Sequence, residues 1–339
     1  MFRISFILLI FIHLNLFSQT PSAESLGYKH IVFNYENQMV DILIVSKKGE
    51  EAIKKPLFFF CQGSMPQPLI KFDEQGTYGL FPFNPDSLKT QYHLVIIGKP
   101  GVPLISYVND LNDNFMYLDS TGNIPKAYAE NNLPDYYVSR NKSIIKYLRK
   151  LPWVDKSELV IAGHSEGSTI AAKMALKIPH VTHLIYSGGN PMGRIMSMIQ
   201  RSRSIESDST ALGENEFIYW QKAVDNKTNL DASQGDTDKA TYEFSTPLFD
   251  DLLKLKIPVL VSYGTKDYSA PFNDYLRVEA IRRNKSNFEF KAYIGAEHNY
   301  FPLLNDGKPN YEVFNWDKVA HDWLLWIEST LFRSPIVKP

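Results

Sequence analysis

Five residues, GHSEG at Gly163 to Gly167, set one serine between two glycines, with the apolar run LVIA before them and an alanine-rich helical pattern after. A Gly-x-Ser-x-Gly match this short arises by chance in many proteins as a flexible strand-to-helix connection. Its chemical reading is a strained turn that only small neighbours permit, with the Ser165 hydroxyl held out as a nucleophile. A helix starting beside the serine would also turn its positive end toward it and favour developing negative charge. A serine hydroxyl is a weak nucleophile by itself, so this reading requires a base and a group that orients the base.

Eight histidines are available. His298 stands out because it lies in GAEHNY directly after a strand-like segment, among the small and polar residues of an exposed loop. His93, His180 and His183 sit in or at the ends of strand patterns, where packing accounts for them. His164 belongs to the GHSEG turn itself and is too constrained to fold back onto Ser165. His30 and His321 lie in an early strand and the last helix with no supporting motif. An imidazole base needs a buried carboxylate to fix its tautomer and stabilise its charge. Asp267, just past the strand-like VLVSYG, is placed for that, although a lone loop aspartate also reads as a turn or helix cap. Ser165, Asp267 and His298 each follow a strand pattern.

Those three residues need a scaffold to bring them together. Apolar and β-branched enrichment predicts strands near Tyr28–Tyr35, Met39–Val45, Pro56–Gln62 and His93–Gly98, the first of them too close together for intervening helices. That spacing predicts an antiparallel start. A helix over Pro134–Leu151, a strand over Glu158–Ala162, a helix over Gly167–Lys177 and a strand over Thr182–Ser187 then alternate, predicting a parallel sheet with helices on both faces. From Gly188 to Leu255 the alternation gives way to helical spacing alone, and IPVLVSYG, PFNDYLRVEAIRR and FEFKAYIG resume it before a last helix around Trp316–Leu331. The expectation is a leader over residues 1–18 and one α/β domain over 19–339, with a helical insertion at about 189–255.

Composition narrows the function. With 36 basic against 37 acidic residues there is no broad electrostatic footprint for nucleic acid or an anionic membrane, and a small neutral or mixed substrate is expected instead. The N-terminus has Arg3, an apolar run from Ile4 to Phe17 and then Ser18 and Gln19, the pattern of a cleaved secretory signal. A secreted or periplasmic protein without lasting membrane insertion is therefore expected. Cys61 is the sole cysteine, so no internal disulfide can form, and its place in LFFFC reads as a small buried hydrophobe. No metal-binding spacing and no phosphate loop occurs, GKPGV included, so no cofactor is expected.

From about Tyr28 to Leu331 the chain resembles the α/β-hydrolase family: GHSEG resembles its nucleophile elbow, GTKDYSAP its acid turn and GAEHN its histidine loop, in the family's order Ser, Asp, His. The resemblance implies an eight-stranded, mostly parallel sheet, a triad of Ser165, Asp267 and His298, and a cap built from the insertion. It also implies an oxyanion hole with one donor from the backbone N–H of Glu166 and another from the loop after the third strand. That loop is FFFCQGSMPQP, with Gln62 where histidine commonly stands. The backbone N–H of Ser64 is the expected donor, Gln62 holding the loop and Gly63 allowing close approach of substrate. The Glu166 side chain is expected to face solvent in the first helical turn.

The expected activity is that of a serine hydrolase, foremost a carboxylesterase working through an acyl-enzyme on a small or medium ester. The same motifs fit a serine peptidase, a thioesterase or an acyltransferase, and a binding protein without turnover is the rival from another class. Met192, Met196, Met198, Phe217, Tyr219 and Trp220 in the insertion favour core packing, with a mild preference for an apolar or aromatic ester. Oligomeric state is not legible in the sequence.

Overall fold

The computed structural model describes residues 20–232 and 235–333. The leader expected at 1–18 lies outside them. Among the described residues no helix is long and apolar enough to cross a membrane.

Strands β1 (Lys29–Tyr35) and β2 (Gln38–Val45) form an antiparallel hairpin, and β3 (Lys55–Cys61) opens the parallel part of the sheet. A small separate sheet joins β4 (Ile70–Asp73), β5 (Gly76–Tyr78) and β7 (Ile105–Tyr107), while β6 (His93–Ile97) returns to the main one. The main sheet is completed by β8 (Val154–His164), β9 (His183–Ser187), β10 (Val259–Gly264) and β11 (Phe288–Tyr293). Its order is β1-β2-β6-β3-β8-β9-β10-β11. Only the β1–β2 and β2–β6 pairs are antiparallel, as the short early spacings require.

Alternation along β3 divides the core. Leu57, Phe59 and Cys61 face one apolar layer and Phe58 and Phe60 the other, because successive strand residues point to opposite faces. Strands buried on both sides are apolar throughout, which makes the LFFFC and LVIA runs legible as central strands. The first layer is closed by α2 (Pro134–Leu148) and α3 (Glu166–Lys177), and the second by α9 (Trp316–Arg333), which packs Trp316, Trp323 and Trp326 onto the sheet. A short α1 (Lys126–Asn131) precedes α2, and α8 (Ala270–Arg282) joins β10 to β11. Among the described residues, helices α4 (Arg194–Ile205), α5 (Leu212–Asp225), α6 (Asp238–Phe244) and α7 (Phe249–Lys254) lie between β9 and β10. Sequence patterning missed the small sheet, whose strands of three and four residues are too short to show a period.

Candidate active site

β8 delivers Ser165 at φ 57°, ψ −126°, and α3 starts with the next residue. A non-glycine residue at positive φ stores on the order of 1–3 kcal/mol and persists only where its surroundings hold it. Here the Ser165 N–H donates to the Ser187 carbonyl on β9 at 2.9 Å, and the Ser165 carbonyl accepts from the Ser168 N–H at 3.0 Å. The bracketing glycines are required by contact. A Cβ on Gly163 would stand 2.0 Å from the Gly167 carbonyl oxygen, and one on Gly167 would stand 2.1 Å from that of Cys61. The turn is thus wedged against the end of β3.

Asp267 and His298 come from the turns after β10 and β11. These turns touch through backbone, since a Cβ on Gly264 would stand 2.2 Å from the Ala296 carbonyl oxygen. His298 Nδ1 donates to Asp267 Oδ2 at 2.8 Å, and Asp267 Oδ1 accepts from the Ser269 N–H at 2.9 Å. Burial alone would push the Asp267 carboxyl up, but His298 and the Ser269 amide outweigh it and hold it below the usual carboxylate range. Burial alone would pull His298 down, and the Asp267 carboxylate outweighs that, leaving the imidazole above its ordinary value. With Nδ1 donating, Nε2 keeps its lone pair for a proton.

Ser165 and His298 border one cavity of about 600 Å³, with Ser64 and Glu166 also in its wall. His164 lies beside His298, ring centroids 4.9 Å apart, and bonds Ser187 Oγ through Nδ1 at 3.0 Å. Burial drives its pKa down to about 3, so it stays neutral as packing. Gly188 at φ 55° leaves room for both rings, because a Cβ there would stand 2.6 Å from His164 Cε1 and 3.4 Å from His298 Cε1.

The loop after β3 passes close to Ser165. A Cβ on Gly63 would lie 3.7 Å from Ser165 Cβ, and Gln62 Nε2 donates to the Ile97 carbonyl on β6 at 2.5 Å, tying down the loop's root. The carbonyl of Ser64 accepts from the Tyr128 hydroxyl. Tyr128, buried at the start of α1, is a residue that sequence reasoning missed, since nothing in KAYAEN marks it.

The expectation for the Glu166 side chain fails. It is only 2 % exposed, with Lys99 Nζ 3.8 Å from Oε1 and Arg194 Nη1 3.1 Å from Oε2. Arg194 also holds Asp236 at 2.7 Å. The first turn of α3 is covered because the GKPGV stretch after β6 sets Lys99 behind it and α4 brings Arg194 across it. Burial pushes the Glu166 carboxyl up to about 7 against the pull of both cations. Its Oε1 has no hydrogen-bond partner.

Of the methionines and aromatics singled out between β9 and β10, Met198 borders the cavity. Met192 packs on the core and Trp220 stacks on Tyr242 with centroids 5.8 Å apart. Phe217 is exposed. Phe244, Tyr268, Leu303 and Pro309 supply further apolar wall.

The pattern of the prolyl oligopeptidase family matches residues 126–327, more than half of the chain. No curated protein matches the sequence. Among solved structures, the acylaminoacyl peptidase of Pyrococcus horikoshii is similar at 15 % identity and TM-score 0.50, over 80 % of this chain and 37 % of that one. Est1E from Butyrivibrio proteoclasticus with ferulic acid bound is similar at 14 % identity and TM-score 0.53, over 87 % of this chain and 98 % of that one. A puromycin-hydrolyzing peptidase of Mycobacterium tuberculosis is similar at 14 % identity and TM-score 0.50, over 80 % and 36 %. The chain therefore spans about a third of the length of these peptidases. At such identities the structural likeness shows the fold, and the fold is that of an α/β-hydrolase. Together with the matched pattern, it makes the chain a member of the prolyl oligopeptidase family of serine hydrolases.

Proposed function

We propose that this serine hydrolase is a carboxylesterase with Ser165 as nucleophile, His298 as base and Asp267 as the carboxylate that orients it. The observation that carries the reading is a serine held at φ 57° beside the same cavity as an imidazole whose Nδ1 is committed to a buried carboxylate. His298 removes the hydroxyl proton as Ser165 attacks a carbonyl, and the backbone N–H groups of Ser64 and Glu166 receive the oxyanion. The protonated imidazole returns the proton to the leaving group, and water activated by the same imidazole releases the acid. Asp267 stays ionised throughout.

An ester is favoured by wall chemistry. Met198, Phe244, Tyr268 and Leu303 suit an apolar or aromatic acyl group, and the similarly folded Est1E has a structure with ferulic acid bound. In this proposal α4 to α7 form a cap that shields the acyl-enzyme from bulk water. Export is also part of it: residues 1–18 are a leader and the mature protein begins at Gln19, which the N-terminal sequence of the exported protein tests. A peptidase is the second reading, favoured by the family match over residues 126–327.

Labelling by a fluorophosphonate that is lost in Ser165→Ala tests the nucleophile. Turnover of nitrophenyl esters with little turnover of aminoacyl anilides supports the esterase. Anilide turnover alone would move the protein to the peptidases, and absence of labelling would remove the catalytic reading.

A further inference from the structure

Helix α4 turns one face to the cavity: Arg194, Ser197, Met198 and Arg201 all border it, and their spacing is that of a single helical stripe. The rotation of the stripe is fixed at its first residue, where Arg194 is held between Glu166 at 3.1 Å and Asp236 at 2.7 Å. Seven residues on, about 10 Å along the axis at ~1.5 Å per residue, Arg201 reaches the same cavity. Lys266 enters it from the turn after β10. Both cations are exposed.

The charges of the wall do not cancel pairwise. Glu166 is matched by Lys99 and Arg194, while Asp267 is buried and accepts its hydrogen bond from a neutral imidazole, His298. Glu297 spends its Oε1 on the backbone N–H groups of Asn299 and Phe301, at 2.7 and 3.1 Å. Among the described residues Arg201 and Lys266 have no carboxylate within ion-pair distance. Two unpaired, exposed cations thus border the cavity alongside Asp267, buried behind its imidazole, and Glu297, whose Oε1 is committed to backbone N–H groups.

We infer that the substrate carries a carboxylate remote from its scissile carbonyl, on the side of the cavity that α4 lines, and that Arg201, assisted by Lys266, recognises it. The inference rests on the esterase reading above, which fixes where the scissile carbonyl lies. A guanidinium matches a carboxylate in two parallel hydrogen bonds.

Two pairs of esters test this on the full chain. One pair is the mono-nitrophenyl ester of suberic acid and its methyl-capped twin, with the charge on the acyl side. The other is 4-carboxyphenyl octanoate and its methyl-capped twin, with the charge on the leaving side. The readout is the ratio of kcat/KM, charged over capped, in the wild type, Arg201→Gln, Arg201→Glu and Lys266→Gln. In at least one pair the ratio should exceed one, fall about three- to tenfold in Arg201→Gln, drop further in Arg201→Glu and shrink with added salt. Arg201 is exposed and has no ionic partner, so its replacement leaves the fold intact. A wild-type ratio at or below one in both pairs, or a ratio that Arg201→Gln leaves in place, overturns the inference while turnover of the capped esters keeps the esterase standing. Failure to turn over any of the four, with no fluorophosphonate labelling, sinks both.

Discussion

Glu166→Gln should make the protein more stable at pH 8, although it removes a carboxylate that lies between two cations. The reason is the balance of burial against pairing. Burial raises the Glu166 carboxyl from 4.5 to about 7, overriding Lys99 at 3.8 Å and Arg194 at 3.1 Å. A carboxyl raised by folding makes the folded state bind a proton that the unfolded chain has released. Stability therefore falls as pH rises from the unfolded value near 4.5, and levels off once the folded value near 7 is passed. At ~1.36 kcal/mol per unit, that window removes roughly 3 kcal/mol by pH 8 and about 1 kcal/mol by pH 5.

Glutamine keeps the shape and carries no such loss. Arg194 retains Asp236, and Lys99, already driven toward its neutral form by burial, can release its proton. Urea unfolding followed by tryptophan fluorescence should place Glu166→Gln about 1 kcal/mol above the wild type at pH 5 and roughly 3 kcal/mol above it at pH 8. If pairing dominated, removing one partner of a buried ion pair would cost about 3–5 kcal/mol instead. A variant less stable than the wild type at pH 8 would refute the argument from burial.

Further outcomes follow from the same geometry. Ser165→Ala should lower ester turnover by at least about 10³-fold while leaving urea stability equal or higher, since alanine lacks only the nucleophile. The logarithm of kcat/KM should rise with pH and bend at a midpoint above the ordinary imidazole value, because His298 acts as a base only when neutral and Asp267 holds it above that value; Asp267→Asn should lower kcat by on the order of 10⁴. Gly167→Ala drives a methyl to 2.1 Å from the Cys61 carbonyl oxygen, where only backbone can yield, so calorimetry should show a loss of about 1–3 kcal/mol and kinetics roughly a 10²-fold lower kcat as the elbow parts from the Gly63–Ser64 loop. Tyr128→Phe frees the Ser64 carbonyl, and steady-state kinetics should show kcat reduced about tenfold with a smaller change in KM, the mark of a donor mispositioned for the transition state.

The sheet was legible because its central strands are apolar on both faces and short of helix length. Runs such as LFFFC and LVIA leave little choice, and the glycines at 163 and 167 mark a turn whose contacts exclude any side chain. His298 and Asp267 were legible for a related reason, since each follows a strand end and sheet topology brings successive parallel strand ends to one edge. Tyr128 and the small sheet were not, because a single hydroxyl aimed at a distant carbonyl and strands of three or four residues leave no periodic trace.

Glu166 shows where local reasoning fails. In its own helix it is an acidic residue in the first turn, and the helix dipole predicts a solvated carboxylate there. Its actual surroundings come from Lys99, 67 positions earlier, and Arg194, 28 positions later. The rise of its carboxyl follows from how those distant segments close over it, so no window of sequence around Glu166 could contain the answer. That closure also joins the Ser165 turn to the cavity wall. Arg194 contacts Glu166, one residue from Ser165, and begins the stripe of α4 that lines the cavity. A change that loosens this contact should therefore alter substrate selection and acylation together, whereas a change at Arg201, seven residues further along the helix, should alter selection alone.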